Sequence, residues 1–174
     1  RCHRIPMSIL AKRLLTEGAL GDVFYAASET FQHKRKQFAQ SPWYASAEHP
    51  RAALLGTGIH AVDLLRWLLG EVEEASAYGN HIAYPEFPGD DFTMVQYRFA
   101  SGAVGRVGVA YGSVLPRGEG GMTLQLYGSE GSLVNERYYV GEPGQGEWVA
   151  EDLQEARNPL WQEVDYFLEC LDTG

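Results

Sequence analysis

The chain of 174 residues carries 14 Lys+Arg against 23 Asp+Glu, a formal net charge of −9, which argues against a nucleic-acid surface. Its 45% hydrophobic content suits one packed core, and no apolar run approaches the ~18 residues that span a bilayer. Cys2 and Cys170 lie at opposite ends with no metal-ligand spacing, a pattern that fits a reducing cytoplasm better than a disulfide framework.

Residues 7 to 17 show helical periodicity, with Met7, Ile9, Leu10 and Leu14 predicted on one face and Gly18 as the stop. Gly21-Asp22 turns the chain into a strand from Val23 to Phe31. Residues 32 to 51 have no clear period and contain Pro42 and Pro50; a loop of that length inside a domain is usually functional. The Lys34-Arg35-Lys36 cluster within it reads as a solvated stretch. A helix is predicted from Ile59 to Leu69, ended by Gly70.

Five strands follow, at 72–82, 92–99, 103–111, 122–127 and 132–139, with hairpin turns at Ala100-Ser101-Gly102 and Gly128-Ser129-Glu130-Gly131. Strands joined by turns this short are antiparallel, because a parallel pair needs a crossover of a dozen residues or more. A last helix opens at Asn158-Pro159, with Leu160, Val164, Phe167, Leu168 and Leu171 as its apolar face. The order predicts one α+β domain over residues 1–174: an open, mostly antiparallel sheet with helices packed on one face. Aromatics at Tyr97, Phe99, Tyr138 and Tyr139 make the other face a candidate subunit interface.

Gly56-Thr57-Gly58-Ile59-His60-Ala61 matches the glycine fingerprint of dinucleotide-binding loops. The context does not. That fingerprint needs a buried strand before it and an acidic residue about 20 positions later; here the preceding segment holds Pro50, and Tyr78, Gly79 and Asn80 stand where the acid belongs. The hairpins that follow exclude a Rossmann domain within this chain.

The same stretch holds His60 on a helix, with Asp63 and Trp67 near one face. Read as lying in the first turn, His60 is beside a helix N-terminus, which favours the neutral imidazole, the form a general base requires. Asp63 either orients an imidazole nitrogen or pairs with Arg66. The competing reading is a buried histidine that caps the helix and bonds to Asp63. Trp43, beside Tyr44, is a candidate to stack on a sugar ring or an aromatic pin for the loop. Arg4 is a candidate for a polar substrate or a structural carboxylate, and Tyr111 a further candidate substrate contact. No histidine pair has the i, i+4 spacing of a zinc site, so no metal is expected.

Several of these stretches taken together resemble the C-terminal domain of the glucose-fructose oxidoreductase / inositol dehydrogenase (Gfo/Idh/MocA) family. They are Arg4, Ala11-Lys12 and Gly18-Ala19-Leu20-Gly21-Asp22-Val23; the helix motif from Gly58 to Gly70; and the two hairpins, Phe99 to Gly105 and Tyr127 to Leu133. The resemblance covers most of the chain in the right order. It implies an NAD- or NADP-dependent oxidoreductase acting on a sugar, polyol or related compound, in which a preceding Rossmann domain binds the nucleotide. It further implies His60 as the proton acceptor, Asp63 as a supporting carboxylate, and a homo-oligomer formed through the open sheet face. On that reading this segment alone is inactive. Many members carry an aspartate four residues before the histidine, and this chain has Gly56 there; a glycine-rich run common before it is replaced by Arg51-Ala52-Ala53. The alternative reading is a non-catalytic sheet module for assembly or ligand binding.

Overall fold

A computed structural model describes residues 2–41, 46, 52–116, 119–151 and 159–173. The elements are a short 3-10 turn (Cys2–Arg4), α1 (Pro6–Thr16), β1 (Val23–Phe31), α2 (Arg35–Ala39), a π-helical turn (Leu54–Gly58), α3 (Ile59–Leu69), β2 (Val72–Asn80), β3 (Phe92–Phe99), β4 (Val104–Ala110), β5 (Gly121–Gly128), β6 (Gly131–Val134), β7 (Arg137–Val140), β8 (Val149–Ala150) and α4 (Pro159–Thr173). The strands form one sheet in the order β2-β3-β4-β1-β5-β6-β7-β8. The α+β architecture is the one predicted. No helix among the described residues is long and apolar enough to cross a membrane.

All pairings are antiparallel except β1 with β4, which run parallel with Tyr25 opposite Val104 and Phe31 opposite Ala110. Short turns govern the direction of the strands they join, but β1 has no such turn to either neighbour. Everything from α2 to β3 intervenes before β4, and that length permits a parallel crossover. The predicted strand over 132–139 is a hairpin instead: Asn135 adopts φ 56 and folds β7 back on β6. Asparagine is one of the few residues that takes this left-handed conformation at little cost. Within the supposed loop, residues 35–39 form α2, whose Phe38 is buried.

Helices α1 and α3 cover one sheet face. Met7, Leu10, Ala11 and Leu14 form the buried stripe of α1, while Ile9 is 46% exposed because it lies off the i, i+3, i+4, i+7 set. In α3 the buried stripe is Ala61, Leu64, Leu65 and Leu68. Both stripes pack on Ala26, Val107, Leu124, Leu126 and Leu133 from the sheet. A smaller cluster of Phe38, Ala53, Tyr84, Phe87, Val109 and Tyr111 continues the same face toward the end of β4.

The opposite face carries the ion pairs Glu29–Arg106 (2.9 Å) and Glu74–Arg98 (3.4 Å), with Tyr25 against Tyr127 and Phe31 against Phe92. Of the aromatics expected there, Tyr139 is on this face, opposite Ser132, whereas Tyr97, Phe99 and Tyr138 are on the helix-covered one. Phe99 is in the helix-covered core, and Tyr97 and Tyr138 pack against it. The Tyr139 hydroxyl lies against the carbonyls of Glu142 and Gln145 in the loop that follows β7. Tyr97 and Phe99 share the parity of Val95, which pairs with Val107 on the face the helices cover. The predicted apolar face of α4 is not buried among the described residues; Leu160, Val164, Phe167, Leu168 and Leu171 are all exposed. Its predicted N-cap, Asn158, lies outside the described residues.

Candidate functional site

The approach to α3 is already helical. Ala53, Gly58 and Ile59 all have right-handed helical dihedrals, and the π-helical turn at Leu54–Gly58 runs directly into α3. His60 therefore does not sit at an open helix N-terminus, as its place after two glycines suggests; a full turn of helix precedes it. Single π turns within helices recur at functional sites, because the extra residue shifts the helix face that follows.

Close contact with β4 anchors this turn. A Cβ on buried Gly58 would lie 2.9 Å from Leu54 Cδ1 and 3.0 Å from Val109 Cγ1, so a side chain there would force these neighbours or the turn to shift. The Ala53 N–H donates to the Asp90 carbonyl at 2.8 Å, and the Tyr111 N–H to the Asp91 carbonyl at 2.9 Å. The segment before β3 thus ties the start of the turn to the end of β4. Asp91 is fully buried, and its Oδ2 accepts the Tyr84 N–H.

His60 is exposed, one position off the buried stripe of α3. The reading of a buried capping histidine does not hold. Asp63 is not its partner either: the Asp63 carboxylate lies 2.9 Å from His3 Nε2, and the His3 ring stacks on Trp67 at 4.4 Å. Nor does Asp63 bind Arg66, which pairs with Glu71 at 3.1 Å. Long-range packing brings His3 to α3, and sequence spacing shows only the neighbours within the helix.

The polar groups in the turn ahead of His60 are hydroxyls. Thr57 Oγ1 and the Tyr111 hydroxyl are 2.8 Å apart. Tyr111 is only 3% exposed and packs edge-on against Phe38 and Phe87, at 5.1 and 5.4 Å. It reaches the site with its hydroxyl and not with its ring face. Thr57, Phe38 and Phe87 were not evident from sequence. Thr57 is three residues before His60, a helical spacing that flags it only once the helix is known to extend that far back.

Arg4 lies elsewhere, in a cavity of about 700 Å³ also lined by His3, Lys12, Arg13, Trp67 and Tyr166. Its guanidinium stands 4.6 Å from the Tyr166 ring centre. Along the α3 flank, Asp63 and Trp67 continue the stripe that begins at His60, so the cavity opens one to two turns further along that helix. Trp43 lies outside the described residues.

The glycine pair makes no phosphate cradle. The Gly56 N–H donates to the Ala52 carbonyl at 3.2 Å inside the helical ladder, and Gly58 is packed against β4. A dinucleotide loop needs such amides free. Among the described residues no group of three or more His, Cys, Asp or Glu is arranged to hold a metal ion.

Comparison with known proteins agrees with this architecture. Residues 9–134 match the GFO/IDH/MocA C-terminal domain. The chain belongs to the Gfo/Idh/MocA family, as its C-terminal domain. It is 29% identical over 104 residues to a D-apiose dehydrogenase from Rhizobium rhizogenes, covering 60% of this chain and 29% of that protein. Among solved structures it resembles an oxidoreductase from Thermotoga maritima (TM-score 0.74, 22% identity, 95% of this chain and 48% of that one). It also resembles a levoglucosan dehydrogenase bound to NADH and levoglucosan (TM-score 0.63, 25% identity, 86% and 45%). The chain thus spans less than a third of the first relative's length and about half of these solved chains.

Proposed function

We propose that this chain is the substrate-binding half of an NAD(P)-dependent oxidoreductase that oxidises a hydroxyl of a sugar, polyol or related compound, with His60 as the proton acceptor. Membership in the family supports the reaction class. The levoglucosan dehydrogenase bound to NADH and its sugar ligand supports both the nicotinamide and the substrate class. The observation that carries the reading is the exposed imidazole of His60, two residues beyond a π-helical turn that carries a half-buried hydroxyl pair.

Family membership supports a preceding Rossmann domain as the holder of the nucleotide; when bound, nicotinamide would supply the acceptor for a hydride from the carbon being oxidised. His60 takes the proton of the hydroxyl on that carbon, so the alcohol loses one proton and one hydride and becomes a carbonyl. A neutral imidazole has the nitrogen lone pair this step needs. Arg4, in the cavity further along the α3 flank, would bind a polar part of the substrate, with Trp43 as a candidate stacking surface. The open sheet face, with its ion pairs and half-buried aromatics, is the proposed homo-oligomer contact.

The test is His60→Ala in the full-length protein, assayed across sugars and polyols with NAD and NADP. Loss of a general base lowers the rate on the order of 10²–10⁴-fold. Unchanged turnover on a confirmed substrate favours the reading of a non-catalytic module instead.

A further inference from the structure

Position 56 has no side chain, and the space a side chain would take is already filled. A Cβ on Gly56 would lie 2.3 Å from the Tyr111 hydroxyl oxygen but 3.4 Å from Tyr111 Cζ. The collision is with the oxygen alone; the ring stands at tolerable contact distance. Tyr111 has little freedom to move aside. Its ring is buried between Phe38 and Phe87, its N–H donates to the Asp91 carbonyl at 2.9 Å, and its carbonyl accepts the Lys34 N–H at 2.9 Å. Its hydroxyl is further held at 2.8 Å from Thr57 Oγ1. A group at position 56 is four residues before His60, the spacing at which helical side chains are neighbours. Gly56 itself is exposed, and Tyr111 is buried with its hydroxyl close against the Gly56 backbone.

We propose that Tyr111 is a positioning residue for the reaction: its hydroxyl, delivered from the end of β4, supplies the oxygen that a side chain at position 56 would otherwise bring to the turn ahead of His60. Gly56 is the accommodation for that hydroxyl, and the two residues form one coupled unit. This rests on the reading of His60 as proton acceptor. The Tyr111–Thr57 hydroxyl pair both donates and accepts hydrogen bonds. It therefore holds a substrate hydroxyl, or a water between that hydroxyl and the imidazole, without placing a negative charge beside His60. Asp63, three residues from His60 on the helix, has its carboxylate 2.9 Å from His3 Nε2. A carboxylate in place of the hydroxyl would do different electrostatic work, because an opposite charge within ~4–6 Å stabilises the imidazolium.

The experiment compares Tyr111→Phe, Gly56→Ala, the double variant Gly56→Ala/Tyr111→Phe and the double variant Gly56→Asp/Tyr111→Phe in the full-length protein. Thermal melting and the pH–rate profile are measured for each. Melting reads the packing conflict without reference to catalysis: Gly56→Ala lowers the midpoint when Tyr111 is intact and has little effect when it is combined with Tyr111→Phe. Equal lowering in both backgrounds overturns the shared volume. For the role in the reaction, Tyr111→Phe lowers kcat about 10- to 100-fold while the protein remains folded. Gly56→Asp/Tyr111→Phe regains part of the loss and moves the acid limb of the profile to higher pH; Gly56→Ala/Tyr111→Phe does neither. Full kcat in Tyr111→Phe, or equal rescue by alanine and aspartate, overturns the positioning role. Were His60→Ala itself without effect, the proton-acceptor reading would fail, and the positioning role with it, while the melting cycle would still decide the shared volume.

Discussion

The Asp63 carboxylate is 2.9 Å from His3 Nε2, not beside His60, although Asp63 and His60 are three residues apart on one helix. The His3 ring lies nearly parallel to Trp67, at 9° and 4.4 Å, so one side of the pair is fixed by stacking. Asp63→Asn is therefore expected to lower kcat/KM far less than His60→Ala, by under about tenfold against on the order of 10²–10⁴-fold. Steady-state kinetics of the two variants side by side checks this. A loss in Asp63→Asn as large as that in His60→Ala would make Asp63 the partner of His60 after all.

Gly58 sets how closely the π-helical turn approaches β4. Its missing side chain leaves room for Leu54 and Val109, which a Cβ would meet at 2.9 and 3.0 Å. Gly58→Ala is expected to cost about 1–3 kcal/mol by overpacking. Val109→Ala in the same chain should return part of that loss, because contacting residues are not additive. A double-mutant cycle by denaturant unfolding measures the coupling.

Asp91 is the buried link between Tyr84 and Tyr111. Its Oδ2 accepts the Tyr84 N–H and its backbone carbonyl accepts the Tyr111 N–H. Asp91→Ala leaves the Tyr84 N–H without that acceptor, at an expected cost of about 1–3 kcal/mol. Asp91→Asn retains an acceptor oxygen and should be milder. Amide hydrogen exchange at Tyr84, compared in the two variants, separates this local effect from a general loss of stability.

Tyr97 packs against the core, and burial raises its phenol pKa above the ordinary 10.0. The sign follows from linkage. As pH rises past 10 the unfolded chain loses this proton first, so the folded state binds more protons and stability falls with pH. The stability it contributes is whole below pH ~10 and is lost as pH rises through the folded value. Tyr97→Phe should flatten the decline in unfolding free energy across that alkaline window and leave the slope at neutral pH unchanged. Urea midpoints measured across the window decide it.

How far the sequence reached differs by element. The helix from Ile59 to Leu69 was legible because Ala61, Leu64, Leu65 and Leu68 repeat at the helical period and Gly70 ends it. The hairpins were legible because their turns are short and rich in glycine. The fold of 131–140 was not, since Asn135 is a single residue in a left-handed conformation between two runs that read as one strand. The burial of Tyr97 and Phe99 depends on which side of the sheet the helices cover, and strand alternation alone does not say which.

The residues that point to chemistry were visible in order along the chain: His60 on a helix, glycines before it, and a set of motifs whose sequence resembles one family. Local periodicity and turn chemistry suffice for that, because they act between residues a few positions apart. The company His60 keeps was settled only by packing across the fold. His3, 57 positions before it, stands against Asp63, and Tyr111, 51 positions after it, fills the volume over Gly56. Contacts at such separations depend on how the sheet orders its strands and how closely the π-helical turn settles on β4, and no spacing within α3 encodes them.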